Sequence, residues 1–290
     1  MRKCDLGGIP SKCNVRFRTK LQIAVEGIEW LHKHLRNVSK PVWLVADGFY
    51  AKAEVLRAAI KAGYVMVSRL PSNAALFDLP RKCKPGQSRG RGRPRIYGEN
   101  AISLAKRAGQ LRGWTAIEVR TSSGETVTKR IKTILATWRP AGGVIRVVLV
   151  KEEDGSWRAL LCTDPAADTT AIVEAALERW SIEQSFHDLK EVERISEVQL
   201  RRYDANVGAT NASLWYHTLL EIWSWTRPSA EVADRSDRPW DDPTRRPSHV
   251  DRRKALKSHL LENEFQSLDI PEQYLAKLRP TLRKLFRLAA

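Results

Sequence analysis

The chain has 290 residues, 42% of them apolar, enough for one large domain or two smaller ones with a substantial core. Its formal charge of +17 and pI near 10.0 point to nucleic acid as a partner, with a generally solvated basic surface as the plain alternative. No apolar run approaches the ~20 residues of a membrane span, no secretory apolar core opens the chain, and four irregularly spaced cysteines fit reduced cytoplasmic thiols better than a disulfide or zinc framework.

The first clear element is "LQIAVEGIEWLHKHL". Leu21, Val25, Ile28, Leu31 and Leu35 recur on one helical stripe, which predicts an amphipathic helix packed on a core. Next, Val42 to Ala46 reads as a short buried strand, Ala51 to Ala62 as a helix ended by Gly63, and Tyr64 to Leu70 as a second strand. Strand, helix and strand predict parallel pairing with a right-handed crossover, and ligands gather beyond the carboxyl ends of such strands. Asp47 sits at that end. Its carboxylate has two open readings there, a site ligand or the cap of the following helix.

The segment that follows Leu70 is rich in Arg, Gly and Pro and reads as an exposed loop. Within it, "RGRGRPR" carries Arg89, Arg91, Arg93 and Arg95. Such a run enters the minor groove of A·T-rich DNA in one reading and is a disordered basic loop in the other. From Trp114 to Thr163, β-branched runs alternate with Ser-Ser-Gly, Pro-Ala-Gly-Gly and Glu-Asp-Gly turns, which predicts antiparallel hairpins. Trp114, Trp138 and Trp157 lie in this module, either to stack on a base or, more commonly, to pack.

A helix is predicted from about Thr169, after cap candidates in "TDPAADTT". At about 100° per residue, Arg179, Glu183 and Lys190 project within roughly 40° of one another. That face is either a functional one or a set of surface ion pairs. Beyond the apolar helix "LWYHTLLEIWSW", the polar, proline-rich stretch from Thr226 is expected to be extended or disordered, with a final helix from about Arg252.

Carboxylates on a strand and a helix of a very basic chain suit metal-assisted phosphodiester cleavage, in which hard divalent ions about 4 Å apart are held by carboxylate oxygens. "VADGFYAK" followed by "ERWSIEQSFHDLK" resembles the second Asp and the Glu of the DDE transposases of bacterial insertion sequences, in the branch with a β-rich insertion between those two acids. That branch's signature is Tyr, two residues, Arg, three residues, Glu, six residues, Lys; Arg179, Glu183 and Lys190 match it, and Ala176 stands at the Tyr position.

The resemblance implies an α/β fold with a partial RNase H-like core interrupted by a β-rich insertion domain and followed by C-terminal helices. The implied division is core at 1–78, basic loop and insertion at 79–165, core helices at 166–226, and linker with final helix at 227–290. It implies Asp47 and Glu183 as catalytic ligands of Mg²⁺ or Mn²⁺, and Arg179 and Lys190, with Arg89, Arg91, Arg93 and Arg95 of the loop, as DNA contacts. The partner is double-stranded DNA at terminal inverted repeats, with a homodimer or a complex with full-length transposase, in the nucleoid of the bacterial cytoplasm and without a membrane.

The family's first Asp lies on a strand ahead of this region. Only Asp5 is available there, without an apolar run, so the chain is expected to be amino-terminally truncated and inactive alone. A non-catalytic DNA-binding remnant and a general basic nucleic-acid-binding protein are the alternatives.

Overall fold

The computed structural model describes residues 16–81, 93–121, 124–197, 200–235, 238, 240–242, 244–267, 273 and 277–278. Two compact units divide the chain, residues 1–181 and 182–290.

In the first unit, helix α1 (Lys20–His34) begins at a capping box: the Thr19 hydroxyl accepts from the Gln22 N–H, and the Gln22 side chain accepts from the Thr19 N–H. Its stripe packs on the core through Leu21, Val25, Ile28 and Leu31. Strand β1 (Trp43–Ala46), helix α2 (Ala53–Lys61) and strand β2 (Val65–Leu70) form the expected unit, with β1 and β2 parallel and Trp43 opposite Val65. Helix α2 buries Val55, Leu56 and Ala59 against the sheet.

The remaining strands are β3 (Leu76–Phe77), β4 (Ala101–Ile102), β5 (Thr115–Arg120), β6 (Thr126–Trp138), β7 (Gly143–Lys151) and β8 (Trp157–Cys162). The predicted hairpins form here. Their sheet joins that of β1 and β2, because β8 pairs antiparallel with β2, with Val67 opposite Cys162. The resulting order is β1-β2-β8-β7-β6-β3-β4, with β5 also paired to β6. Among the described residues β1 lies at an edge, hydrogen-bonded to β2 alone.

Both faces of this sheet are covered. One buries Leu56, Met66, Ile145, Leu149 and Leu161 beneath α1 and α2; the other buries Val67, Val148 and Leu160 with Ile172 and Val173 of α4 (Thr169–Glu178). Trp138 is 6% exposed within the first core, and Trp114 and Trp157, only partly buried, pack against it. The Cys162 thiol is buried, and burial pushes its pKa up to about 11, which leaves it unreactive. Helix α3 (Leu104–Gly109) precedes β5 and is tied down by Lys132, whose Nζ donates to the Arg107 and Gln110 carbonyls at 2.8 Å each.

In the second unit, α6 (Tyr203–Trp225), α7 (Ser229–Val232) and α8 (His249–Ser267) pack together. The stretch expected to be extended or disordered is instead held in place among its described residues. Asp241 pairs with Arg235 and Arg245, and Arg245 also reaches Asp251 at 3.0 Å. Charges that read as solvated in sequence are here mutual partners, and they close the chain onto the start of α8. Ser248 and Asp251 cap that helix reciprocally: Asp251 accepts from the Ser248 N–H at 2.9 Å, and the Ser248 hydroxyl accepts from the Asp251 N–H. No described helix is long and apolar enough to cross a membrane.

Candidate functional site

Asp47 lies directly beyond β1, at the carboxyl end of a parallel strand, and is exposed. Its Oδ1 accepts from the Gly48 N–H at 2.8 Å and caps a single 3-10 turn, Gly48–Tyr50. The capping expectation is corrected: Asp47 caps this short turn and not the following helix α2, which starts after Lys52 without a side-chain cap. The turn is fixed from two sides. Buried Ser68 on β2 donates its hydroxyl to the Asp47 carbonyl at 3.1 Å. A Cβ on Gly48 would stand 3.1 Å from the Arg69 carbonyl oxygen, so glycine lets the backbone pass close beside β2.

The other wall of the site is α4. Arg146 on β7 donates from Nε and Nη2 to the Pro165 carbonyl at 2.9 and 2.6 Å, which anchors the loop before the helix. Asp168 then caps α4 by accepting from the Ala171 N–H at 2.9 Å. The helix runs to Glu178, and Arg179 and Trp180 arrive at the cleft.

The cleft encloses about 350 Å³. Its lining includes Asp47 and Glu152, the cations Arg69, Lys129, Arg158 and Arg179, and Ala176. Of the sequence candidates, Asp47 and Arg179 therefore meet here. Ala176, at the signature's Tyr position, lines the cleft and packs against the second core. Glu152 was not anticipated. It sits where a tight turn over Gly155 (φ +82°) joins β7 to β8. It receives Arg158 Nε at 2.6 Å and faces Lys129 Nζ at 3.7 Å. Burial works to raise the Glu152 pKa, but hydrogen bonding and charge from Arg158, with Lys129, outweigh it and hold the group below the ordinary glutamate range. The ring of cations suits phosphate oxygens, Arg by two-pronged hydrogen bonding and Lys as a point charge.

Glu183 and Lys190 belong to the second unit. Glu183 is exposed on α5 (Trp180–His187), three residues beyond Trp180 of the cleft. Lys190 is exposed in a π-helical segment, Asp188–Val192, closed by the Glu193 N–H donating to the Asp188 carbonyl at 3.0 Å. The 100° projection that aligned Lys190 with Glu183 does not carry through this wider turn, so their relative direction differs from the sequence expectation. In the basic loop, Arg93 is exposed and Arg95 pairs with Glu99; Arg89 and Arg91 lie outside the described residues.

A second cleft of about 350 Å³ lies between Trp114 and Trp157, with Arg130 and Lys151 in its lining. Lys132 Nζ stands 5.0 Å from the Trp114 ring centroid, and the indole N–H donates to the Gln110 carbonyl at 3.0 Å.

A family model for the transposase DDE domain matches residues 21–219, which span β1, the hairpins, α4, α5 and most of α6. No curated protein matches the chain. A domain of this kind implies DNA as partner and a divalent metal ion in its chemistry. The match covers more than half of the sequence and embraces both Asp47 and Glu183: the chain belongs to the DDE transposase family.

Proposed function

We propose that the protein acts in transposition of an insertion sequence, holding duplex DNA at the element's terminal inverted repeats, with Asp47 and Glu183 as ligands of Mg²⁺ or Mn²⁺. The observation that carries this reading is Asp47 at the carboxyl end of β1 in a cleft ringed by Arg69, Lys129, Arg158 and Arg179. The donor chemistry fits a hard cation. Asp47 keeps Oδ2 without a partner among the described residues, whereas the other acid of the cleft, Glu152, is engaged by two cations. When bound, the ion supplies activation of an attacking oxygen and charge stabilisation on the phosphodiester. Arg179 and Arg69 grip phosphate oxygens, Lys129 adds positive field, and Lys190 and the Arg93 and Arg95 segment extend the DNA track.

The chain works on the element's ends in the bacterial cytoplasm, as a homodimer or together with a second transposase chain.

Purified protein incubated with Mg²⁺ or Mn²⁺ and DNA carrying the element's ends tests this. Preference for those ends over random duplex is expected, strengthened by the metal ion in the native chain and not in Asp47→Asn or Glu183→Gln. Binding to both DNAs alike would favour a general basic nucleic-acid-binding protein. Divalent-ion binding indifferent to both substitutions would remove Asp47 and Glu183 as ligands.

A further inference from the structure

The second unit buries a group of ligand atoms that DNA cleavage does not use. Glu193 follows the π-helical turn, His217 lies within α6 and His249 opens α8, so three separate segments converge. One donor atom from each lies within 4.8 Å of the others. His249 Nε2 is 2.8 Å from Glu193 Oε1, and His217 Nδ1 is 3.5 Å from that same oxygen. Neighbouring donors in a tetrahedral site with bonds of about 2.0–2.1 Å stand roughly 3.3 Å apart, so these two spacings bracket the value for one shared ion.

Two features separate the cluster from an ordinary hydrogen-bonded core. Glu193 Oε2 and His217 Nδ1 are buried, and neither has a hydrogen-bond partner among the described residues. The Glu193 side chain is only 5% exposed, a costly place to leave an acceptor unused. Moreover, the far nitrogen of His249, Nδ1, faces Glu221 Oε1 at 3.5 Å, and Glu221 is itself held by Arg252. A metal-bound imidazole characteristically gives its other N–H to a carboxylate, which sets its tautomer and orientation. The His217 and His249 rings stack with centroids 4.6 Å apart, which braces both.

We propose that Glu193, His217 and His249 form a binding site for one divalent transition-metal ion of the zinc class, with Glu221 orienting His249. Two imidazoles and a carboxylate select such an ion over Mg²⁺, which prefers an all-oxygen octahedron. Three protein donors leave a fourth position for water. Bound there, the ion fastens the start of α8 to α6 and to the segment after the π-helical turn, and its binding energy adds to the stability of this unit.

The test uses the full chain, stripped with a chelator and titrated with Zn²⁺ against a chromophoric competitor. One equivalent is expected, with an affinity tighter than about 1 μM, undisturbed by excess Mg²⁺. His217→Gln and Glu193→Gln should each weaken it more than about 100-fold, and Glu221→Gln by about 10–100-fold, as for a residue acting through its ligand. Asp47→Asn should leave the zinc stoichiometry unchanged, which separates this site from the one proposed for Mg²⁺. X-ray absorption of the zinc-loaded native chain should show nitrogen and oxygen neighbours with imidazole scattering. That spectrum decides the matter if a variant does not fold. A sulfur shell, an affinity indifferent to His217→Gln, or no bound zinc would each overturn the proposal, the last leaving a hydrogen-bonded His249 between two carboxylates.

Discussion

Glu152 and Arg158 face each other across the β7–β8 hairpin, with Arg158 Nε 2.6 Å from Glu152 Oε1, on the wall of the cleft that Asp47 borders. The pair favours the ionised form of Glu152 and occupies its Oε1. Its folded-state pKa lies below the unfolded value, so its contribution to stability is present above that value and is lost as pH falls through the folded pKa. Glu152→Gln should therefore cost about 0.5–1 kcal/mol at neutral pH, the scale of a partly exposed pair. The difference from native protein should vanish in denaturant titrations carried below the ordinary glutamate range. An undiminished difference in acid would show that packing, not charge, is responsible.

The cap that Asp47 provides and the metal role proposed for it can be divided by substitution. Asparagine caps a helix start about as well as aspartate, whereas alanine loses about 0.5–2 kcal/mol. Asp47→Asn should keep the native melting temperature and Asp47→Ala should lower it; both should remove divalent-ion binding at the cleft. Equal melting temperatures for the two variants would mean that the Gly48 N–H finds another partner.

DNA affinity should fall steeply and linearly on a plot of log affinity against log salt, as expected for a chain of charge +17. Arg179→Ala should reduce that slope by about 0.9, the contribution of one phosphate contact to duplex. Fluorescence anisotropy with labelled duplex measures it. An unchanged slope would remove Arg179 from the DNA track.

Lys132 is 7% exposed, and its ammonium serves two carbonyls at the end of α3 and the face of Trp114. Lys132→Met keeps the aliphatic stem and removes the charge, leaving those carbonyls underused. A loss of about 1–3 kcal/mol is expected, with a shift in Trp114 emission as α3 loosens. Native stability in this variant would show that the carbonyls are satisfied by solvent.

The elements that were legible in advance are those with local causes. β1, α2 and β2 follow from apolar runs and a terminating glycine, and α4 starts where Asp168 can cap it. The site's second carboxylate was not legible, because Glu152 gains its meaning from Lys129 and Arg158, which reach it through strand pairing and a hairpin turn. The three tryptophans were equivalent in sequence; burial alone separates Trp138 from Trp114 and Trp157. The charged stretch after Thr226 misled for the same reason: Arg235, Asp241, Arg245 and Asp251 are spaced like solvated residues, and only their convergence makes them partners. Lys190 differs again, since nothing in its neighbours' side chains announces a hydrogen bond that spans five residues instead of four.

That wider turn acts as a length gauge. A π-helical segment accommodates one residue more than an α-helix between the same flanking points. Deleting a single residue between Asp188 and Val192 would let the helix close with ordinary spacing and leave both flanks where they stand, with Glu193 still beside the two histidines. The same deletion in α5 would turn everything beyond it by about 100° and shift it by about 1.5 Å. The wider turn is thus the place where this helix tolerates the loss of a residue without uncoupling the buried cluster.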